Sequence, residues 1–148
     1  MKKLFLVLIV LLLTACDYHK YSEDKTVSAP TTLNEEQIDR HLMKEIGSLP
    51  YEQLVVAFFN NNEVIDIGSV NNGNQSEVQI SFNDIFHECM VRKCNGIIIA
   101  HNHPDKPFAH PSQADTQISV RFKEVLKKHN INLINSIIVT KYDTTWIL

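Results

Sequence analysis

Two lysines open the chain, and an uninterrupted apolar run, LFLVLIVLLL, fills residues 4–13. At about 1.5 Å per residue this run falls short of a ~30 Å hydrocarbon core, so it reads as the apolar region of an export signal. Residues 17–33 are polar with scattered Ser, Thr and Pro, the composition of a flexible tether. From residue 34 onward the pattern becomes periodic. Asn34 stands as an N-cap, Glu35 and Glu36 occupy a first turn, and Ile38, Leu42 and Ile46 recur at helical spacing. That predicts a helix over 35–46, ended by Gly47 and Pro50. The apolar run 54–59 predicts a strand, Asn60-Asn61-Asn62 a turn, and 63–70 the hairpin partner, with Val64, Ile65 and Ile67 apolar. After a second turn at 71–74, the alternation of Val78, Ile80 and Phe82 predicts a third strand. Helical spacing returns over 82–93, with Ile85, Phe86, Cys89 and Met90 on one side. The run GIIIA at 96–100 is a buried-strand pattern leading into His101, and the three prolines within 104–111 mark a loop. Residues 112–129 form the longest predicted helix, striped by Ile118, Phe122, Val125 and Leu126. Two strands, 133–140 and 144–148, end the chain around a turn at 141–143.

The predicted order is α-βββ-α-β-α-ββ, a mixed α/β pattern in one domain over 34–148, without the glycine-rich turn of a Rossmann unit or any internal repeat. The 148 residues suit one domain and a tail, and 44% hydrophobic with 21% charged content is ordinary for a globular protein. The net charge of −3 becomes more negative if Lys2 and Lys3 are removed with the first fifteen residues. Such a surface argues against a nucleic-acid partner and makes a metal-dependent nuclease a weak reading.

The chemistry concentrates in HNHPDKPFAHPSQAD, residues 101–115. In an extended backbone, residues two apart face the same side, so His101 and His103 can present two imidazoles to one ion. Pro104 stops the strand, the chain loops, and Asp115 falls in the first turn of the next helix, from where it can point back. Two imidazole nitrogens and one carboxylate oxygen are a catalytic zinc set with the fourth position left for water, although iron or manganese can take the same ligands. Zinc acidifies such a water and polarises a carbonyl. A general base is still needed, near the ion but not bound to it.

His-x-His followed by Ser-x-x-Asp resembles the JAMM metallopeptidase motif. The longer strings GIIIAHNHP and PSQAD, with HNINLINSIIVT after the last helix, resemble the RadC-type branch over residues 48–148, two-thirds of the chain. The resemblance implies the MPN/JAB-type, cytidine-deaminase-like fold, one Zn2+ ion, and hydrolysis of peptide or isopeptide amides in a peptide or protein substrate. By the same resemblance Glu52, just ahead of the first strand, matches the catalytic glutamate that takes a proton from the attacking water and passes it to the leaving nitrogen. Ser112 matches the serine that stabilises the tetrahedral oxyanion. The chain departs from the family pattern at several points. Pro104-Asp105-Lys106 replaces Pro-Ser-Gly, the loop to the aspartate is one residue longer, Phe82-Asn83-Asp84 replaces a Pro-Arg-Glu-like segment, and Asn135-Ser136 replaces Asp-His. These changes leave the ligands intact and bear on substrate range. No room remains for a helix-hairpin-helix module, so no DNA-repair role carries over.

At the other end, Leu13-Thr14-Ala15-Cys16 resembles the bacterial lipobox. This implies a signal peptide over 1–15, lipidation of Cys16, and a tether over 16–33. The implied location is the bacterial cell envelope, lipid-anchored to the membrane. Asp17 resembles the signal that retains such proteins on the periplasmic face of the inner membrane.

Each of these residues also has a plainer reading. Ser112 and Asp115 make a capping box, which can coexist with a role in the site. Glu52 alone is a surface carboxylate, and Glu63, a fallback base, sits where a solvated hairpin residue would. His110 lies in the loop and reads as solvated, as do His19, His41, His87 and His129. Cys89 and Cys94 are five apart, too far for a bridge within one continuous helix. A helix ending near Arg92 would permit a disulfide, and otherwise they are two buried thiols. At the level of function, a catalytically silent, membrane-anchored adaptor retaining the metal fold stands beside the hydrolase.

Overall fold

The structure, a computed structural model, describes residues 34–69 and 81–148. The expected signal peptide, the tether, Cys16 and His19, and the strand expected around Val78 and Ile80 lie outside the described residues. Phe82, shared between that expected strand and the helix expected over 82–93, opens the helix.

Helix α1 spans Glu35–Glu45, and Asn34 caps it in a reciprocal box with Gln37. Its end comes close to the far side of the domain. A Cβ on Gly47 would meet Met43 O at 2.6 Å and Thr140 O at 2.7 Å, so only glycine fits there. Strands β1 (Leu54–Asn60) and β2 (Glu63–Ser69) form a hairpin whose two turn residues, Asn61 and Asn62, both have positive φ. Asparagine tolerates that conformation, which gives the twist tight hairpins favour. The register slips between Phe58 and Phe59, and the bulge leaves Ile65 exposed while Val64 and Ile67 turn inward.

Helix α2 (Phe82–Arg92) is capped by Ser81 and ends on Lys93, a left-handed residue with φ 55°. Strand β3 (Gly96–Asn102), helix α3 (Gln113–Lys127) and strand β4 (Asn132–Val139) form a parallel crossover, and the short β5 (Thr144–Trp146) returns antiparallel. The sheet order is β2-β1-β3-β4-β5.

Alternation along the strands feeds two cores. Leu54, Val56, Phe58, Ile97 and Ile99 pack toward α2 and α3, while Val55, Ala57, Phe59, Ile98 and Ala100 pack toward α1. Strands buried on both faces read as continuous apolar runs, which is why 54–59 and 96–100 carry no visible alternation. The result is a single mixed α/β domain with a five-stranded sheet between helical layers, consistent with the JAB/MPN-type fold.

Candidate metal centre

Continuing the alternation past Ile99 turns His101 and His103 toward the α2–α3 side and Asn102 toward α1. The backbone of this strand end is held on both flanks. His101 pairs with Leu54 on β1, and the His103 amide donates to Val139 O at 2.9 Å. Pro104 then breaks the ladder, and Asp105 turns the chain at φ 59°, a conformation aspartate tolerates. The chain enters α3 at Ser112. There the Ser112 amide donates to Asp115 Oδ2 at 2.6 Å, and the Asp115 amide donates to Ser112 Oγ at 3.1 Å. This capping box fixes the first helical turn and, with it, the direction of the Asp115 carboxylate.

The strand end and the helix entrance meet. His101 Nε2 lies 3.1 Å from His103 Nε2 and 3.2 Å from Asp115 Oδ1, and His103 Nε2 lies 3.5 Å from Asp115 Oδ2. The three side chains retain only 14–17% exposure. Burial alone would raise the Asp115 carboxyl. Hydrogen bonds from His101 and Ser112, together with the His101 charge, outweigh it and hold the group well below the ordinary carboxylate range. Burial and the neighbouring His101 push the His103 imidazole below its usual value, and Asp115 and the His110 backbone pull only partly against them.

This donor set suits a zinc ion. Metal–ligand bonds of about 2.0–2.2 Å at tetrahedral angles place donors roughly 3.3–3.6 Å apart. The closest separations above, 3.1–3.5 Å, lie near that edge, and one ligand atom from each residue lies within 4.8 Å of the others. Among the described residues this is the one such group of His, Cys, Asp and Glu side chains. The hydrogen bond from the His103 ring to the His110 backbone is the support that orients a ligating imidazole.

The other expected residues sort clearly. Glu52 is exposed and lies two residues before β1. The β1–β3 register pairs Leu54 with His101, and the Asn102 amide donates to Gln53 O at 3.4 Å. Glu52 follows one residue further out, beyond the last paired residue of the ladder. Ser112 is exposed at the α3 N-cap, beside the carboxylate it caps. Glu63 is out of reach. It sits at the hairpin, opposite Asn60, at the far end of the seven-residue β1, roughly 20 Å away at about 3.3 Å per residue. The His110 ring is exposed, and that residue serves His103 through its backbone. His87 and His129 are exposed, His129 resting on the Phe86 ring, while His41 is half-buried in α1.

Two contributors were not legible as such. Asn102, between the two histidines, is fully buried and bonded to residues 49–53. A polar residue inside an otherwise apolar strand end is the signal that could have found it. Asn135, one of the departures from the family pattern, ties down the last residues, accepting from the Ile147 and Leu148 amides and donating to Leu148 O at 2.7 Å.

The RadC-like JAB domain family matches residues 32–146. A UPF0758 protein of Flavobacterium johnsoniae is 31% identical over 97 residues, covering 65% of this chain and 42% of its own length. Another, from Carboxydothermus hydrogenoformans, is 31% identical over 113 residues, covering 72% and 47%. A third, from Nitrosococcus oceani, is 25% identical over 126 residues, covering 84% and 56%. The chain thus spans about half the length of these relatives. With the matched region running from before α1 through β5 and including His101, His103 and Asp115, the chain belongs to the RadC-like JAB domain family.

Proposed function

We propose that this domain is a zinc-dependent hydrolase of the JAMM type that cleaves peptide or isopeptide amide bonds. The observation that carries the reading is the convergence of His101, His103 and Asp115, and the position of a second acidic residue, Glu52, two residues before the β1 residue that pairs with His101 supports it. In this reading the three side chains hold the ion. Bound zinc supplies a Lewis acid for the substrate carbonyl and acidifies a water molecule. Glu52 takes the proton of the attacking water and delivers it to the departing nitrogen, which lets a poor leaving group go as an amine. Ser112 holds Asp115 in place and offers its hydroxyl proton to the oxygen that becomes negative in the tetrahedral intermediate.

The same proposal places the domain in the bacterial envelope. Cys16 carries the lipid, the membrane is the anchor, and the substrate is an envelope peptide or protein on the periplasmic side of the inner membrane. The Cys89–Cys94 disulfide supports this, because such bonds persist in oxidising compartments.

The deciding experiment measures zinc content and cleavage of a peptide library by the wild type and by Glu52→Gln. We expect one zinc per chain in both and a loss of turnover of about 100-fold or more in the variant. Stoichiometric zinc with equal turnover removes Glu52 as the base. Full zinc, no cleavage by the wild type and tight capture of one envelope protein favour the silent adaptor, a reading motivated by the altered loop at Pro104-Asp105-Lys106.

A further inference from the structure

We infer that Asn102 is a positioning residue that aims Glu52 at the histidine–aspartate cluster, a role that rests on Glu52 being the base. Asn102 lies between the two metal-ligand candidates but faces the opposite side of the sheet, with no exposed surface. Its carboxamide has one acceptor oxygen and a donor NH2 group, and both are used. Oδ1 accepts from the Gln53 amide at 2.6 Å, while Nδ2 donates to Tyr51 O at 2.9 Å and to Leu49 O at 3.4 Å.

The first two partners decide the role. Tyr51 O belongs to the peptide plane before Glu52, and the Gln53 N–H belongs to the plane after it. Peptide planes are rigid, so the two planes flanking an α-carbon fix its φ and ψ and with them the direction of its Cα–Cβ bond. One buried side chain therefore sets the direction in which Glu52 leaves the backbone. Regular strand pairing begins only at Leu54, so Glu52 itself lies outside the ladder.

The clamp stands on the same strand as the ligands. Asn102 pairs with Val139 on β4, and His103 bonds the same residue. The base and the ion-binding side chains are thereby referenced to one rigid element, the condition for holding reacting groups in productive geometry. The chemistry also explains the residue type. Leucine at this position offers neither bond, and aspartate keeps the acceptor for Gln53 but sets a second acceptor against two carbonyls.

The test uses the full chain loaded with cobalt(II) in place of zinc, comparing wild type, Glu52→Gln, Asn102→Ala and Asn102→Asp. Visible absorption of the bound cobalt reports what surrounds its open coordination position, and this arm needs no substrate. We expect cobalt affinity within about threefold of wild type in every variant, because the ligands are untouched. Glu52→Gln should alter the spectrum, and both Asn102 variants should alter it in the same direction. With a cleavable peptide, Asn102→Ala should lower kcat about 10- to 100-fold with little change in KM. A merely structural loss would lower the melting temperature and leave the cobalt spectrum like the wild type. If Asn102→Ala does not fold, the near-isosteric Asn102→Asp gives the same reading. An Asn102 spectrum identical to wild type, while Glu52→Gln differs, overturns the positioning role and leaves the base standing. Identical spectra for wild type and Glu52→Gln remove the base, and the positioning role falls with it.

Discussion

His103 bears on how far into acid the cluster could hold a cation. A ligating imidazole must be neutral, and this one is held below the ordinary value of about 6.5 by burial and by His101. It therefore remains available where a free imidazole would be half protonated. In the site we propose, protonation of His103 should weaken apparent zinc affinity, measured by chelator competition between about pH 5 and pH 8, only below pH ~6.5. Affinity already dropping tenfold per pH unit above neutrality would contradict this. The sign for the metal-free fold agrees. A depressed imidazole means that the unfolded chain takes up the proton more readily, so stability falls as pH drops through the window just below ~6.5. The depressed Asp115 carboxyl adds a second loss in stronger acid, as pH falls below the ordinary carboxylate value toward its lowered one. At this scale the clustering of His101, His103 and Asp115 was legible, because a two-residue spacing and a helix entrance have simple geometric meanings. Asn102 was not, since its importance lies in backbone partners some fifty positions away in sequence.

At the scale of elements, the end of α2 is the informative piece. The Lys93 amide donates to Met90 O and the Cys94 amide to Cys89 O at 2.9 Å, the paired bonds of a helix closed by a left-handed residue. That closure folds the chain back and brings residues 89 and 94 together, with Cα atoms 4.9 Å apart and the sulfurs joined. A bridge excluded in a continuous helix becomes possible because the helix stops at Arg92. Arg92 fixes this corner further, pairing with Asp66 at 2.7 Å and with Glu88 while its guanidinium lies over the Phe58 ring. Closing so short a loop is worth about 2 kcal/mol in the chain-entropy account. Cys94→Ala should lower unfolding free energy by roughly that amount in denaturant titration without changing zinc affinity, because the bridge lies at the β3 end opposite the histidines. Unchanged stability would show that the bridge contributes nothing. The caps at Asn34 and Ser112 made two helix starts readable to within a residue, and apolar spacing gave the start of α2. The slips in register between Phe58 and Phe59 and between Ile97 and Ile98 left no mark, because bulges follow from pairing between strands rather than from composition.

For the whole molecule, the layers separate duties. One face of the sheet, with α2 and α3, carries the cluster, and the other, with α1, receives the Asn102 side chain. Among the described residues no helix is long and apolar enough to cross a membrane, so membrane attachment in our proposal rests on Cys16. The full-length protein should sediment with membranes and incorporate labelled palmitate, while Cys16→Ser should do neither and keep full zinc content. A wild-type chain without label would remove the anchor and leave the hydrolase proposal untouched. Among the described residues the order of strands and helices, and the single mixed α/β domain, could be read from periodicity. Sheet order could not, since alternation says which face a residue uses and not which strand lies beside it.

The double employment of Asp115 has an evolutionary corollary. The oxygen that closes the box with the Ser112 amide belongs to the carboxylate that meets both imidazoles. If the domain is the hydrolase we propose, a descendant that abandoned catalysis would still be selected to keep this aspartate, because without it α3 loses the reciprocal half of its capping box and the Ser112 amide its partner. The histidines enjoy no such protection, and their decay, rather than that of the acid, is the mark by which retired copies of this domain should be told from working ones.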